Sequence, residues 1–171
     1  MSAALPRVVD AWRMVTAQRL FEGWLEFSAM PRLAAALASS EGRCRYALEF
    51  GRDALGHGFL DVRAEAALPL ICQRSLERFD LPVQVHQRLG MITDEAQEAG
   101  LPEGYEPVLL DAEGNVRPLD LIEDELLLAL PAVPVRPDSE SVDMIWPPEA
   151  PVEEPQVSAF AALAQLKHPK A

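Results

Sequence analysis

The chain is poor in the residues that bind metals or act as nucleophiles. It has two cysteines, Cys44 and Cys72, and three histidines, His57, His86 and His168, and none of these form a close pair. A zinc site needs about four such ligands, usually paired along the chain. In Cys72-Gln73-Arg74-Ser75 a serine stands where a second cysteine would complete half a zinc knuckle. No GxSxG elbow, phosphate-cradling glycine loop or dinucleotide fingerprint is present, so no cofactor or small-molecule substrate is expected. No apolar run approaches the roughly 20 residues that span a bilayer, so no membrane association is expected. The start, MSAALPRVVDAWRM, lacks the apolar stretch of a secretory signal. The expectation is therefore a cytoplasmic protein with both cysteines as thiols. Aromatic residues make up only 6% against 49% hydrophobic, so the core must rest on Leu, Val and Ala.

A surplus of positive charge is also missing. The net charge is −12, and it is uneven. Residues 1–93 carry 11 Arg and 10 acids, whereas residues 94–154 carry 17 acids against Arg117 and Arg136 alone. Phosphate backbones are bound by neutralising them with Lys and Arg, so the back of the chain disfavours nucleic acid. It suits a basic partner protein, or it keeps a proline-rich segment soluble.

Period-two alternation dominates the middle of the chain. RCRYALEF (43–50), LDVRAEAALPLIC (60–72) and LPVQVHQRLGM (81–91) each place apolar residues on one face, as half-buried antiparallel strands do. Asp61, Arg63 and Glu65 fall on the other face, His86 points to solvent, and Cys72 ends the buried face of its strand. FEGWLEF (21–27) and EPVLLD (106–111) read as shorter strands, DAEGN (111–115) as a turn and 92–106 as a loop or short helix. Helices are expected over 10–20 with Asp10 as cap, and over 31–38 with Ser28 as cap and Pro31 in the first turn. DLIEDELLLALP (120–131) is the most sharply written helix, with Asp120 as N-cap, Glu123 in the capping-box position and Pro131 as stop. The pattern predicts an α+β fold: an antiparallel sheet or partial barrel with flanking helices, forming one domain over 1–131. Residues 132–156 read as an acidic, proline-rich disordered arm, since seven prolines and six acids between Pro131 and Pro155 leave little to bury. Residues 157–171 read as a short amphipathic docking helix and tail, with Phe160, Leu163 and Leu166 on one face.

Four groups of residues are candidates for chemistry or binding. Cys72, with Cys44 and a histidine, is a conceivable metal set, although buried cysteine more often packs as a small hydrophobe. Cys72 is also a conceivable nucleophile beside Arg74 and His86. Asp120, Glu123, Asp124 and Glu125 form an acidic cluster open to a divalent cation or explained by the helix dipole. Arg43, Arg45, Arg63, Arg74, Arg78 and Arg88 form a possible RNA face, interleaved with Glu49, Asp61, Glu65, Glu77 and Asp80 as on an ordinary charged sheet surface.

Three stretches, CQRSLERF, EPVLLDAEGNVRPLDLIEDELLLALPAVP and a terminal FAALAQLK, together resemble the YceD family of large ribosomal RNA subunit accumulation proteins. The shared pattern falls on Cys72, Gln73, Arg74 and Leu76, and on Glu123, Asp124, Glu125 and Leu126. The resemblance implies a bacterial or plastid, non-enzymatic role in accumulation or processing of 23S ribosomal RNA and in large-subunit assembly. Many members have a second cysteine where this chain has Ser75, and a His and a Cys where it has VPVRPDSES (133–141), so a metal idea taken from relatives lacks its ligands here. The expected partner is a basic ribosomal or assembly protein, the alternative being direct contact with 23S ribosomal RNA through the arginine face. A metal- or Cys72-dependent hydrolase is the remaining reading.

Overall fold

The computed structural model describes residues 5–138. Of the expected arm over 132–156 only residues 132–138 are described; the rest of it and the docking residues Phe160, Leu163 and Leu166 lie outside the described residues. The elements run β1 (Val9–Asp10), α1 (Ala11–Thr16), β2 (Leu20–Glu26), α2 (Pro31–Ala36), β3 (Arg43–Arg52), β4 (Gly58–Ile71), β5 (Arg78–Ile92), β6 (Glu106–Leu109), β7 (Asn115–Val116) and α3 (Pro118–Leu128). Single 3₁₀ turns follow β2 and precede β6. The five-stranded sheet has the order β2-β3-β4-β5-β6, and β1 pairs with β7 in a separate two-stranded ladder. The class is α+β, as the alternation predicts.

The three long strands are antiparallel because the strict alternation of RCRYALEF and its neighbours allows one face to be buried in a single register. Cys44, Tyr46, Leu48 and Phe50 line up with Leu60, Val62 and Ala64 to floor the core. Ala11 and Val15 of α1, Leu33 of α2, and Ile122 and Leu126 of α3 cover that floor. β6 departs from the expectation: it joins β5 in parallel, because the chain between them crosses over instead of turning back as a hairpin. β4 and β5 also run on past β3, whose last partner is Glu65. Residues 66–71 and 78–83 therefore form a two-stranded ribbon, closed on its β4 side where Ala38 N–H donates to the Pro69 carbonyl.

The helices differ from the pattern mainly at their ends. Asp10 caps α1 as expected, accepting from Arg13 N–H at 2.9 Å. α1 stops at Thr16, and Leu20 is already in β2. Ser28 does not cap α2: it lies in the preceding 3₁₀ turn, and Met30 fills the cap position without a side-chain bond. Asp120 is not the cap of α3, which begins earlier with Pro118 in its first turn and Arg117 before it. Proline fits there because a first-turn N–H has no intrahelical partner to lose. Glu123 consequently lies mid-helix and makes no capping box.

Candidate functional site

Cys72 directly follows β4 and opens the turn of the β4–β5 ribbon. Its N–H donates to the Glu77 carbonyl, and Leu76 N–H donates back to the Cys72 carbonyl. Leu76 sits at φ 58°, in the left-handed region, with its side chain 75% exposed. That conformation is strained for a leucine, and the tight closure of the turn holds it there. The Cys72 thiol is fully buried. Its sulfur accepts from Ser75 N–H and from Arg136 N–H, both at 3.4 Å. The Arg136 amide first, then the Ser75 hydroxyl and amide, lower the thiol to about 6. The same strand end receives the chain beyond α3: Gln73 N–H donates to the Pro134 carbonyl, and Arg136 pairs with Glu77 at 3.0 Å. Residues 134–136 thus pack onto the Cys72 turn, fastened by backbone hydrogen bonds and an ion pair. His86 is exposed on the outer face opposite Arg63, eight strand positions from the Arg78 end of β5, so it does not stand beside the sulfur. Cys44 is also a free, buried thiol, pushed up to about 11 by burial.

Glu123 is the main surprise of the acidic helix. It is 2% exposed. One oxygen accepts from the backbone N–H groups of Arg32 and Leu33 at 2.7 and 3.0 Å, and the other meets the Arg32 guanidinium at 2.9–3.0 Å. Glu123 therefore caps α2 from across the core, performing the role that Met30 cannot. Asp124 extends the clamp to Arg32 at 2.6 Å. Glu125 is half-buried, and its carboxyl is raised by burial, then by Glu106 and Asp124. Leu126 is core. With Glu123 saturated by donors, the helix does not assemble a cation site. Among the described residues, no three His, Cys, Asp or Glu side chains converge as a metal ion would require.

The strand arginines Arg43, Arg45, Arg63, Arg78 and Arg88 share the outer phase of the sheet, but acids and aromatic rings interrupt them and distance separates them. Arg43 stacks on the exposed Trp24 ring at 4.3 Å, and Arg45 stands between Trp24 and Glu65. Arg63 lies 3.7 Å from Glu49 and 3.9 Å from Asp61. Arg78 faces Ile71 at the ribbon tip, with Arg74 in the turn. Eight residues of β4 separate Arg63 from Ile71, about 26 Å at strand rise. Asp61 is buried rather than solvent-facing, because Arg88 grips it bidentately at 2.7 Å while packing over the Phe59 ring. A second network went unread in the sequence: Asp53 accepts from His57, Leu55 and Tyr105, closing the β3–β4 turn. Only the DALG-H spacing hinted at it.

Sheet, helices and clamps together define an α+β scaffold whose buried polar groups hold structure together, with an acidic flank left exposed. The family model for the large ribosomal RNA subunit accumulation protein YceD matches residues 60–167, well over half of the chain. A curated relative of that name from Haemophilus influenzae is 26% identical over 170 residues, covering 95% of this chain and 96% of its own. The chain belongs to the YceD family. No solved structure matches it significantly.

Proposed function

We propose that the protein is a non-enzymatic factor of large-ribosomal-subunit biogenesis, promoting 23S ribosomal RNA accumulation or processing by holding a basic ribosomal or assembly protein. The observation that carries this reading is the acidic flank. Glu95, Glu98, Glu103, Glu106 and Glu113 are exposed, and Glu125 is raised by burial first and then by the charges of Glu106 and Asp124. Arg32 neutralises Asp124, but the exposed glutamates still outnumber the cations on this flank, and a cationic partner relieves their mutual repulsion.

The test is recovery from cells of the full chain beside a Glu106→Lys/Glu125→Lys variant, with bound proteins and RNA identified after crosslinking. Large-subunit precursor bound through basic proteins, and reduced by charge reversal, is the expected result. Absence of basic proteins above background overturns the reading. A chain ending after residue 138 tests the arm and its helix separately, since equal recovery removes any role for them. Direct RNA contact is a second reading, favoured by the exposed Trp24–Arg43 stack, a pairing suited to single-stranded bases. It requires affinity that falls steeply with salt.

A further inference from the structure

β2 is an edge strand, and among the described residues it pairs with β3 alone. The bonds that flank the pairing, Phe27 N–H to Gly42 and Phe50 N–H to Arg19, fix which backbone groups point inward. Odd-numbered residues of β2 bond to β3, so the N–H and C=O groups of Trp24 and Glu26 point away from the sheet. Beside this edge runs a groove of about 880 Å³, lined on its apolar side by Leu5, Val8, Leu25, Tyr46 and Leu119. Trp24 at its rim is 56% exposed and Val8 49%. An open strand edge next to an apolar slot is what an extended peptide needs: its backbone pairs with the edge and alternate side chains enter the slot.

The charges on the edge say which peptide. Side chains of β2 on the outer face, the row nearest an added strand, read Glu22, Trp24, Glu26, with Arg43 and Arg45 one strand further in, across from Glu26 and Trp24. Directly opposite positions on an added strand are favoured when they carry opposite charge. The cations of the groove, Arg7 and Arg117, are not on β2, and Arg117 lies 3.8 Å from Asp120. We infer that the open edge of β2 and its groove take up an extended segment of a partner protein, basic on one face and apolar on the other, as an added strand. This rests on the reading of a basic partner and adds a second contact beside the acidic flank.

The probe is a fluorescent Lys-Val-Lys-Val-Lys-Val-Lys peptide titrated against the full chain, with two controls: the same peptide with its central Val replaced by Pro, and its Glu-for-Lys counterpart. Trp24→Pro removes the outward N–H, and an edge strand tolerates proline where that N–H faces outward. Trp24→Ala keeps the N–H, and Glu26→Lys reverses the charge; circular dichroism checks the fold of each. The expected result is binding of the Lys-Val peptide alone. It should weaken about tenfold or more in Trp24→Pro and Glu26→Lys, and less in Trp24→Ala. Amide exchange at Trp24 and Glu26 should slow on binding. Equal binding of the proline-interrupted peptide, or no binding, overturns the inference. So does a concentration-dependent dimer abolished by Trp24→Pro, which would make the occupant a second copy. An oligouridine probe bound in the groove and lost on Arg7→Ala/Arg117→Ala would make it RNA. If the Trp24→Pro chain recovers the same basic proteins from cells as wild type, the edge fails while the partner reading stands. If the wild-type chain recovers none, the partner reading falls instead.

Discussion

Removing the Glu123 carboxylate should unfasten α2 from the core. Glu123→Ala leaves the N–H groups of Arg32 and Leu33 at the start of α2 without their acceptor. Each is a charge-assisted bond to a buried carboxylate, contributing about 1.5 kcal/mol, so the pair amounts to about 3 kcal/mol. The Arg32 side chain adds little, since it is 52% exposed and rehydrates when freed. Arg32→Ala should therefore cost much less than Glu123→Ala. Glu123→Gln keeps one oxygen for the backbone donors and should cost roughly 1–2 kcal/mol. Urea unfolding at neutral pH gives these differences directly, and for a domain of this size 3 kcal/mol corresponds to a Tm loss of about 10 °C. The order Glu123→Ala, then Glu123→Gln, then Arg32→Ala is the signature of backbone capping. A Glu123→Ala cost below about 1 kcal/mol, or an Arg32→Ala cost as large as that of Glu123→Ala, would show the contact to be an ordinary ion pair and refute the reasoning.

Arg88→Ala should cost about 3 kcal/mol by stranding buried Asp61, and Arg88→Lys roughly half of that, since a lysine cannot reproduce the two-point grip; thermal unfolding compares them. Cys72 carries a pH signature. Its thiol is lowered from 9.0 to about 6 in the fold, so the thiolate's stabilisation is complete above pH 9 and lost as pH falls through 6. Wild type should gain on Cys72→Ala as pH rises from about 6 to 9, and a flat difference across that window would count against the bonded thiolate. Neither thiol should react with iodoacetamide at a rate typical of exposed cysteine while the chain is folded, because both are buried; mass spectrometry before and after urea reads this out.

The strands were legible because alternation and burial have the same period. Each residue of RCRYALEF had only two faces to choose from, and the buried one was marked by Cys44, Tyr46, Leu48 and Phe50. What escaped were groups whose partners are distant in sequence. Glu123 is 91 residues from Arg32 and Asp61 is 27 from Arg88, and alternation or helix chemistry assigned both acids to solvent. Ser28 and Asp120 were good caps by composition, but tertiary packing put Met30 and Arg117 in the cap positions and supplied the acceptor for α2 from α3. The meeting of residues 134–136 with the Cys72 turn was unreadable for the same reason: a backbone N–H bonded to a sulfur leaves no mark on residue type.

These internal uses also change what the acidic charge can do for a partner. Glu123 is buried on α2, Asp124 is held by Arg32, Asp111 accepts from Glu113 and Asn115 in its own turn, and Asp94 caps the 3₁₀ turn before β6. The aspartates with short reach serve the backbone next to them, while the exposed glutamates at 95, 98, 103 and 106 lie along the crossing that leads into β6. Because β6 runs parallel to β5, that crossing runs back along β5, with Leu101 and Tyr105 against Gly90, instead of turning back tightly. The parallel pairing of β6, which alternation alone does not reveal, is therefore what carries the glutamates out to where a basic surface can meet them. A change that shortened the 93–105 crossing would remove that surface even if every acid in α3 were kept.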